Sequence, residues 1–158
     1  MSQTIIKIFF IIFISLLTSC GFKVVEKSKD NNFEIREINT SGDNRINYQI
    51  KNFLMISSIK DKEKILKLDL NSKKNKTIKE KNIKNEITKY QIIIDTSIAI
   101  FEIKNNENFE IKLSVTGDYA VGGNYSTTLN NEKKLIERLV ENISEKILRQ
   151  IAMKIDDY

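Results

Sequence analysis

The sequence predicts an α+β fold in which two helices pack on a mixed sheet of about four strands. Alternation of apolar and polar residues is typical of half-buried strands, and it occurs around residues 33–38, 65–70, 88–103 and 109–116. Apolar residues at three- and four-residue steps are typical of helices, and they occur at 43–57 and 132–155. The 139 residues after position 19 suffice for one domain with a core and are too few for two. We therefore expect a single domain over residues 33–158.

The N-terminus has the composition of a secretory signal peptide. Lys7 precedes an apolar run from Ile8 to Leu17 that only Ser15 interrupts, and small residues follow. A membrane-spanning helix needs about 20 apolar residues, so a transmembrane anchor is the weaker alternative. We expect residues 1–19 to be a signal peptide.

The end of this segment, Leu17-Thr18-Ser19-Cys20, resembles the lipobox of bacterial lipoproteins. The resemblance implies transfer of a diacylglyceryl group to the Cys20 sulfur, cleavage before Cys20 and acylation of the new amine. Cys20 is the only cysteine, which excludes an intrachain disulfide and leaves a free thiol as the alternative. Several acyl chains anchor a protein stably where one binds reversibly. We expect residues 20–32 to form a lipidated tether. In bacterial lipoproteins, an Asp directly after the lipidated cysteine is the signal for retention in the inner membrane. This chain has Gly21 at that position, so the resemblance implies the periplasmic face of the outer membrane.

The first part of the domain predicts a strand followed by a helix. Phe33 to Ile38 alternates in polarity, and Thr40 to Asn44 carries side-chain oxygens that can cap a helix. A helical pattern follows from Asp43 to Ser57. Because this connection is helical, parallel pairing of the first two strands is plausible.

The second strand is expected at Ile65–Leu70, and a segment rich in lysine and asparagine follows it over residues 71–86. This segment is a long basic loop, a strand extension or both. Its lysines either form a cationic rim for lipid phosphates, with Lys81 and Lys84 as the candidate ligand-binding residues, or they are solvated, as most charge runs are.

The clearest structural prediction is an antiparallel hairpin. One strand runs from Thr88 to Ile103, the polar stretch Asn105–Asn108 supplies the turn, and the second strand covers Phe109 to Thr116. Gly117, Gly122 and Gly123 follow, and a bulge or turn explains the Gly122–Gly123 pair better than close approach to a ligand.

The C-terminal segment predicts a long amphipathic helix from Glu132 to Ile155 with Asn130 or Asn131 as its cap. Its apolar stripe suits packing across a twisted sheet better than a membrane or coiled-coil surface. The stripe comprises Leu135, Leu139, Ile143, Ile147, Ile151 and Ile155.

The composition argues against catalysis. The chain has no histidine, and its one cysteine is expected to be acylated, so serine–histidine, cysteine–histidine and histidine–metal sites are excluded. We expect no catalytic residue, no metal and no cofactor. The charge surplus is mild, 25 basic against 21 acidic residues once Lys7 is removed, and no nucleic-acid partner is expected.

The chain resembles the LptE family of LPS-assembly lipoproteins. The resemblance rests on Cys20-Gly21-Phe22, Asn52-Phe53-Leu54, Ile87-Thr88-Lys89-Tyr90-Gln91-Ile92 and the Tyr125-Ser126 segment before the last helix. It implies two helices on a sheet of about four strands, seated as a plug inside the outer-membrane barrel LptD. It also implies a non-catalytic role in assembling that barrel and in delivering lipopolysaccharide to the cell surface.

Two other functions stay open. One is an auxiliary periplasmic lipoprotein of an ABC-type lipid transport system, which would pass lipids without a barrel. The other is a free-standing envelope lipoprotein that acts as a structural binder. The family resemblance makes an LptD-like barrel, lipopolysaccharide and the membrane at Cys20 the expected partners.

Overall fold

The structure is a computed structural model that describes residues 32–156. Six elements follow one another along the chain: β1 (Phe33–Gly42), α1 (Asn44–Ser57), β2 (Lys64–Lys81), β3 (Ile87–Glu102), β4 (Glu107–Ala120) and α2 (Tyr125–Asp156). The predicted signal peptide, Cys20 and all of the tether except Asn32 lie outside the described residues. The order of elements and the α+β class are as the sequence predicts.

The four described strands form one sheet in the order β1-β2-β3-β4. β1 and β2 are parallel, and the other two pairs are antiparallel. The parallel pairing across a helical connection and the β3–β4 hairpin are both confirmed. The sheet is therefore mixed, with β1 and β4 at its edges.

Helix α1 begins where the sequence chemistry places its cap. The Asp43 side chain accepts hydrogen bonds from the backbone N–H groups of Arg45 and Ile46, each at 3.1 Å, and satisfies two of the donors that every helix start leaves free. β1 is longer than predicted and ends at Gly42, next to this cap. Gly42 has a φ of +89°, a left-handed conformation that glycine adopts without strain.

The lysine-rich segment after Leu70 forms an extension of strand β2 that ends in a turn. β2 continues eleven residues past the predicted end at Leu70 and pairs with β3, with register shifts on either side of Glu80. β1 accompanies β2 only as far as the Gly42–Ser72 pair, and β4 accompanies β3 only as far as the Lys89–Ala120 pair. The end of the β2–β3 hairpin thus projects beyond both edge strands.

Helix α2 is longer than predicted. Its first residue is Tyr125, seven residues before the predicted start, so its 32 residues span about 48 Å. The caps predicted at Asn130 or Asn131 are wrong: Asn124 precedes the helix, and its side-chain oxygen accepts from the Thr127 N–H at 2.8 Å. Polar residues in the first two turns masked this start, because only the later turns carry the apolar stripe.

Both helices cover the same face of the sheet. The stripe of α2 is buried as predicted, together with alternate residues of the strands and one face of α1. In β3 these are the even-numbered residues from Ile92 to Ile100. The opposite sheet face, which we call the helix-free face, has no helix packed on it among the described elements.

Gly117 allows α2 to pack closely on β4. A β-carbon at this position would lie 2.7 Å from the Leu135 Cδ1 atom. The β3–β4 ladder passes through Gly117 without a register shift. Gly122 and Gly123 lie in the connection to α2, as a turn assignment requires.

The two ends of the described chain lie at the same end of the sheet. Phe33, the first residue of β1, pairs with Lys64 at the start of β2. The Lys64 ammonium donates a hydrogen bond to the backbone carbonyl of Ile155 at the end of α2. The β2–β3 turn lies at the opposite end.

Candidate functional site

The projecting part of the β2–β3 hairpin concentrates the positive charge of the described chain. We call residues 73–89 the basic hairpin. This segment has seven lysines and two glutamates, whereas the rest of residues 32–156 has 15 basic and 16 acidic residues. The lysines are Lys73, Lys74, Lys76, Lys79, Lys81, Lys84 and Lys89. The net charge of the domain thus resides in one hairpin.

The turn of the basic hairpin is held by its own polar residues. The Asn82 side-chain oxygen accepts from the backbone N–H groups of Lys84 (2.9 Å) and Glu86 (3.0 Å). The Asn82 N–H donates to the Glu86 carbonyl, and the Asn85 N–H donates to the Asn82 carbonyl. Asn85 has a φ of +64°, a conformation that asparagine tolerates better than most residues. These hydrogen bonds fix the backbone positions of Lys81 and Lys84.

The structure brings the two predicted ligand-binding lysines to this turn in different environments. The Lys81 ammonium donates to the Asn85 side-chain oxygen at 2.9 Å, so it also stabilises the turn. Lys84 is exposed at the turn, and the fully exposed Ile83 precedes it. An exposed cation beside an exposed aliphatic side chain can contact a phosphate and the apolar part of a lipid together.

Beyond Ser72, the β2 edge is open on the side where β1 ends. Residues 76–86 are all exposed. Lysines on an open strand edge oppose unwanted strand pairing by charge repulsion. The lysines of the basic hairpin therefore have a structural use as well as a potential binding use.

The base of the basic hairpin is anchored to α2 by a cluster of four residues: Lys76, Tyr90, Tyr119 and Glu132. The Lys76 ammonium lies 2.6 Å from a Glu132 carboxylate oxygen, which also accepts from the Tyr119 hydroxyl at 2.7 Å. The same ammonium lies 4.4 Å from the Tyr90 ring centre and 5.3 Å from the Tyr119 ring centre. The two rings stack with their centres 5.6 Å apart. We call this group the Lys76 cluster.

In the Lys76 cluster, burial shifts the pKa values of the side chains, and the hydrogen bonds between Lys76 and its partners oppose that shift. Burial alone would raise the pKa of the Glu132 carboxyl, but the hydrogen bonds from Lys76 and Tyr119 outweigh it and lower that pKa. Burial alone would lower the pKa of Lys76, but its bonds to Glu132 and Tyr119 raise it. Burial, with the hydrogen bond to Glu132, raises the pKa of Tyr119 despite the nearby Lys76. The Lys76–Glu132 pair is therefore fully ionised near neutral pH.

The helix-free face is largely polar, with Phe101 as a partly exposed aromatic residue on it, and several of its polar side chains form hydrogen bonds with one another. The Ser114 hydroxyl donates to the Asp95 carboxylate at 2.7 Å, and the Gln91 amide donates to Asp118 at 3.1 Å. An open depression of about 360 Å³ lies on it, lined by Asn71, Lys73, Asp95, Thr96, Ser97, Lys112, Leu113 and Ser114. Such a surface suits contact with water or with another polar surface.

Within residues 32–156, no three side chains among Asp, Glu, His and Cys come together in a way that could hold a metal ion. Neither α1 nor α2 is sufficiently long and apolar to cross a membrane.

The elements form a two-layer α+β domain, and three solved structures of lipoproteins have a similar fold. Rare lipoprotein B from Shewanella oneidensis matches with a TM-score of 0.60 and 13% identity, over 77% of this chain and 98% of that chain. A lipoprotein from Caulobacter crescentus CB15 matches with a TM-score of 0.56 and 14% identity, over 83% and 95% of the two chains. Lipoprotein B from Nitrosomonas europaea matches with a TM-score of 0.51 and 10% identity, over 79% and 88%.

These likenesses show that the chain has the fold of the three lipoproteins. No protein-family model matches the chain, and no curated protein matches it in sequence.

The sequence predicts the lysines of the site but not the contacts that hold the basic hairpin in place. The lysine run was visible, whereas the Lys76 cluster joins residues that lie up to 56 positions apart. The signal for the turn was the Asn82–Asn85 spacing, since asparagines at such positions often bond to the backbone.

Proposed function

We propose that the chain is an outer-membrane lipoprotein, anchored at Cys20 on the periplasmic face, that plugs an LptD-like barrel and helps deliver lipopolysaccharide to the cell surface. It acts without catalysis, by helping the barrel assemble and by contacting the lipid. The observation that carries the proposal is the basic hairpin at the end of the domain opposite the tether. The fold shared with rare lipoprotein B supports it.

The reach of the hairpin supports this assignment. The tether joins the domain at Phe33, which pairs with Lys64. From Lys64 to Lys81, β2 rises by roughly 55 Å at about 3.3 Å per residue. A bilayer with its headgroups is about 40–45 Å thick. A domain anchored at the inner leaflet and inserted into a barrel would therefore carry the basic hairpin to the level of the outer leaflet.

The surfaces of the domain are also consistent with a plug. The interior of a transmembrane barrel is polar, and the helix-free face is largely polar. At the far end, exposed lysines such as Lys79 and Lys84 offer mobile point charges of the kind that bind phosphate. Lipopolysaccharide presents phosphates beside acyl chains, and Ile83 supplies an apolar contact next to Lys84.

A binding experiment with matched charge reversals tests the lipid contact. Lys81→Glu with Lys84→Glu should weaken binding of lipopolysaccharide to the purified lipoprotein at low salt by about 30-fold, from about 1 kcal/mol per lysine at an anionic surface. Lys79→Glu with Lys84→Glu should act similarly while leaving the Lys81–Asn85 hydrogen bond in place. The control, Lys60→Glu with Lys104→Glu, reverses two exposed lysines at the other end.

Comparing lipopolysaccharide binding among these three variants distinguishes a phosphate contact from solvated lysines. A loss confined to the hairpin variants, and diminished in high salt, supports the phosphate contact. Equal binding by all three variants would indicate that the lysines of the basic hairpin are solvated and do not contact the lipid.

A pull-down from membranes in mild detergent tests the partner. The proposal expects one large outer-membrane barrel in stoichiometric amount. Recovery of an inner-membrane ATPase complex would favour an auxiliary lipoprotein of ABC-type lipid transport, and recovery of no partner would favour a free-standing envelope lipoprotein.

A further inference from the structure

Strand β2 has an open pairing edge beyond Ser72. Strand β1 ends at Gly42, which pairs with Ser72, whereas β2 continues to Lys81. The Asp43 N–H, one residue past the end of β1, donates to the Ser72 carbonyl at 2.7 Å. Among the described residues, the β2 segment 73–81 therefore has β3 on one side and no strand on the other.

Hydrogen bonds on the two sides of β2 show which backbone groups face this edge. The Ser72 carbonyl is bonded on the β1 side, whereas the Ile65 carbonyl accepts from the Ile103 N–H on the β3 side at 2.9 Å. Along a strand, the backbone groups of alternate residues point to opposite sides. The pairing of β2 with β3 is regular from Leu66 to Ile78, so even-numbered residues beyond Ser72 face the open edge. These outward-facing residues are Lys74, Lys76 and Ile78.

The outward backbone groups of these three residues form a short template for a further strand. Within residues 32–156, no backbone group bonds to them from the open side. From Lys74 to Ile78 the row is roughly 13 Å long at about 3.3 Å per residue, and the register shifts on either side of Glu80 then interrupt it. An extended segment of about five residues could pair with a row of this length.

The side chains along the open edge are basic. Lys73 and Lys74 lie at its start, and neither forms a salt bridge within residues 32–156. The acidic residue of segment 73–81, Glu80, lies 2.7 Å from the Lys89 ammonium on the β3 side. Cross-strand pairs of opposite charge are attractive, and like charges directly opposite each other are repulsive. The edge therefore disfavours a basic strand and favours an acidic one.

We propose that an extended acidic segment of the barrel protein adds a strand to this edge of β2, in line with β1. The inference rests on the proposed function, because inside a barrel the nearest neighbouring chain is that of the barrel. The backbone of residues 74–78 supplies the hydrogen bonds, and Lys73 and Lys74 select an acidic segment over others. The lysines nearer the turn, Lys79 and Lys84, are not needed for this pairing and stay available to the lipid.

Two variants at Lys74 test the backbone pairing. Lys74→Pro removes an outward N–H that β3 does not use, whereas Lys74→Ala keeps it, and both remove the charge. The full-length lipoprotein with a C-terminal tag is captured from membranes in mild detergent, and the barrel that stays bound after extensive washing is measured. Lys74→Pro should retain about five- to tenfold less barrel than Lys74→Ala, because it lacks one backbone hydrogen bond and its ring crowds the added strand.

The outcomes separate this inference from the proposed function. The two variants should have similar melting temperatures, which controls for folding. Equal retention of the barrel by both variants would overturn the strand pairing and leave the proposed function intact. If the unaltered chain recovers no barrel, the proposed function is wrong, and the strand pairing with it.

Photo-cross-linking tests the charge preference without a proline in the strand. Thr77 is exposed on the open part of β2, and benzoylphenylalanine in its place should cross-link to a barrel segment that mass spectrometry can identify. We expect that segment to carry Asp or Glu. Lys73→Glu with Lys74→Glu should lower the cross-linked fraction by about tenfold, whereas Lys60→Glu with Lys104→Glu, at the other end of the domain, should not. A cross-linked segment without acidic residues, or a fraction that both double variants leave unchanged, would overturn the proposal.

Discussion

Replacing Lys76 with methionine should destabilise the domain by removing the cation that joins the basic hairpin to α2. Methionine keeps most of the aliphatic length but leaves the Glu132 carboxylate, whose side chain is only 18% exposed, with the Tyr119 hydroxyl as its remaining partner. A hydrogen bond to a charged group is worth about 1.5–3 kcal/mol. Because 39% of the Lys76 side chain is exposed, water screens part of this interaction. We expect a loss of about 1–2 kcal/mol, or a melting temperature about 4–8 °C lower for a domain of this size.

The effect should depend on pH in a defined way. The pKa of Glu132 is lowered in the folded chain, so its contribution is present above its unfolded pKa, about 4.3, and is lost as the pH falls through the folded value. The pKa of Lys76 is raised, so its contribution is present below about pH 10.4 and is lost as the pH rises through the folded value. The difference between the two proteins should be constant from about pH 5 to 10 and shrink on either side.

Circular dichroism melts of the purified mature protein measure this difference. Lys89→Met is the matched control, because Lys89 lies 2.7 Å from Glu80, but both side chains are about half exposed. Exposed pairs contribute little, so the control should change the melting temperature far less. If the two variants lose the same stability, or if the Lys76 effect persists unchanged at pH 3, partial burial is not what makes the cluster stabilising.

Two further changes test the β1–α1 junction and the anchor. Gly42→Ala should destabilise the domain by more than about 1 kcal/mol, since it forces a side chain into a left-handed conformation and a β-carbon there would overlap the Ser72 carbonyl oxygen; Gly123→Ala, with nothing within 4 Å, is the control, and equal melting temperatures would contradict the steric argument. Cys20→Ser should abolish labelling by radioactive fatty acid and leave the precursor uncleaved, as read on a denaturing gel; undiminished labelling would show that Cys20 is not the acylated residue.

The elements that the sequence predicts well are those whose apolar pattern is fixed by burial on one side. The buried residues of β3 recur at every second position, and the apolar residues in the later turns of α2 recur every four positions. Both patterns are strict because the even residues of β3 and the stripe of α2 face each other across the core. Asp43 was identifiable as part of the α1 cap because its local chemistry needs no distant partner.

Elements without buried residues were harder to predict. The extension of β2 past Ser72 contains few apolar residues, and its pairing is determined by β3, whose own pattern is strong. The first turns of α2 are polar for the same reason: they lie before the part of the helix that covers the sheet. The Lys76 cluster depends on contacts between four elements, which no local pattern records.

The position of the chain ends has a practical consequence for labelling. Because Lys64 joins the start of β2 to the Ile155 carbonyl, a fluorescent protein fused after the last helix would sit near Phe33, the first residue of β1, and away from the lysines of the basic hairpin. A small probe placed in the Asn82–Glu86 turn would sit roughly 55 Å from Phe33. A donor in this turn and an acceptor dye in the bilayer would therefore report, by energy transfer, whether the domain stands upright or lies flat when a partner binds.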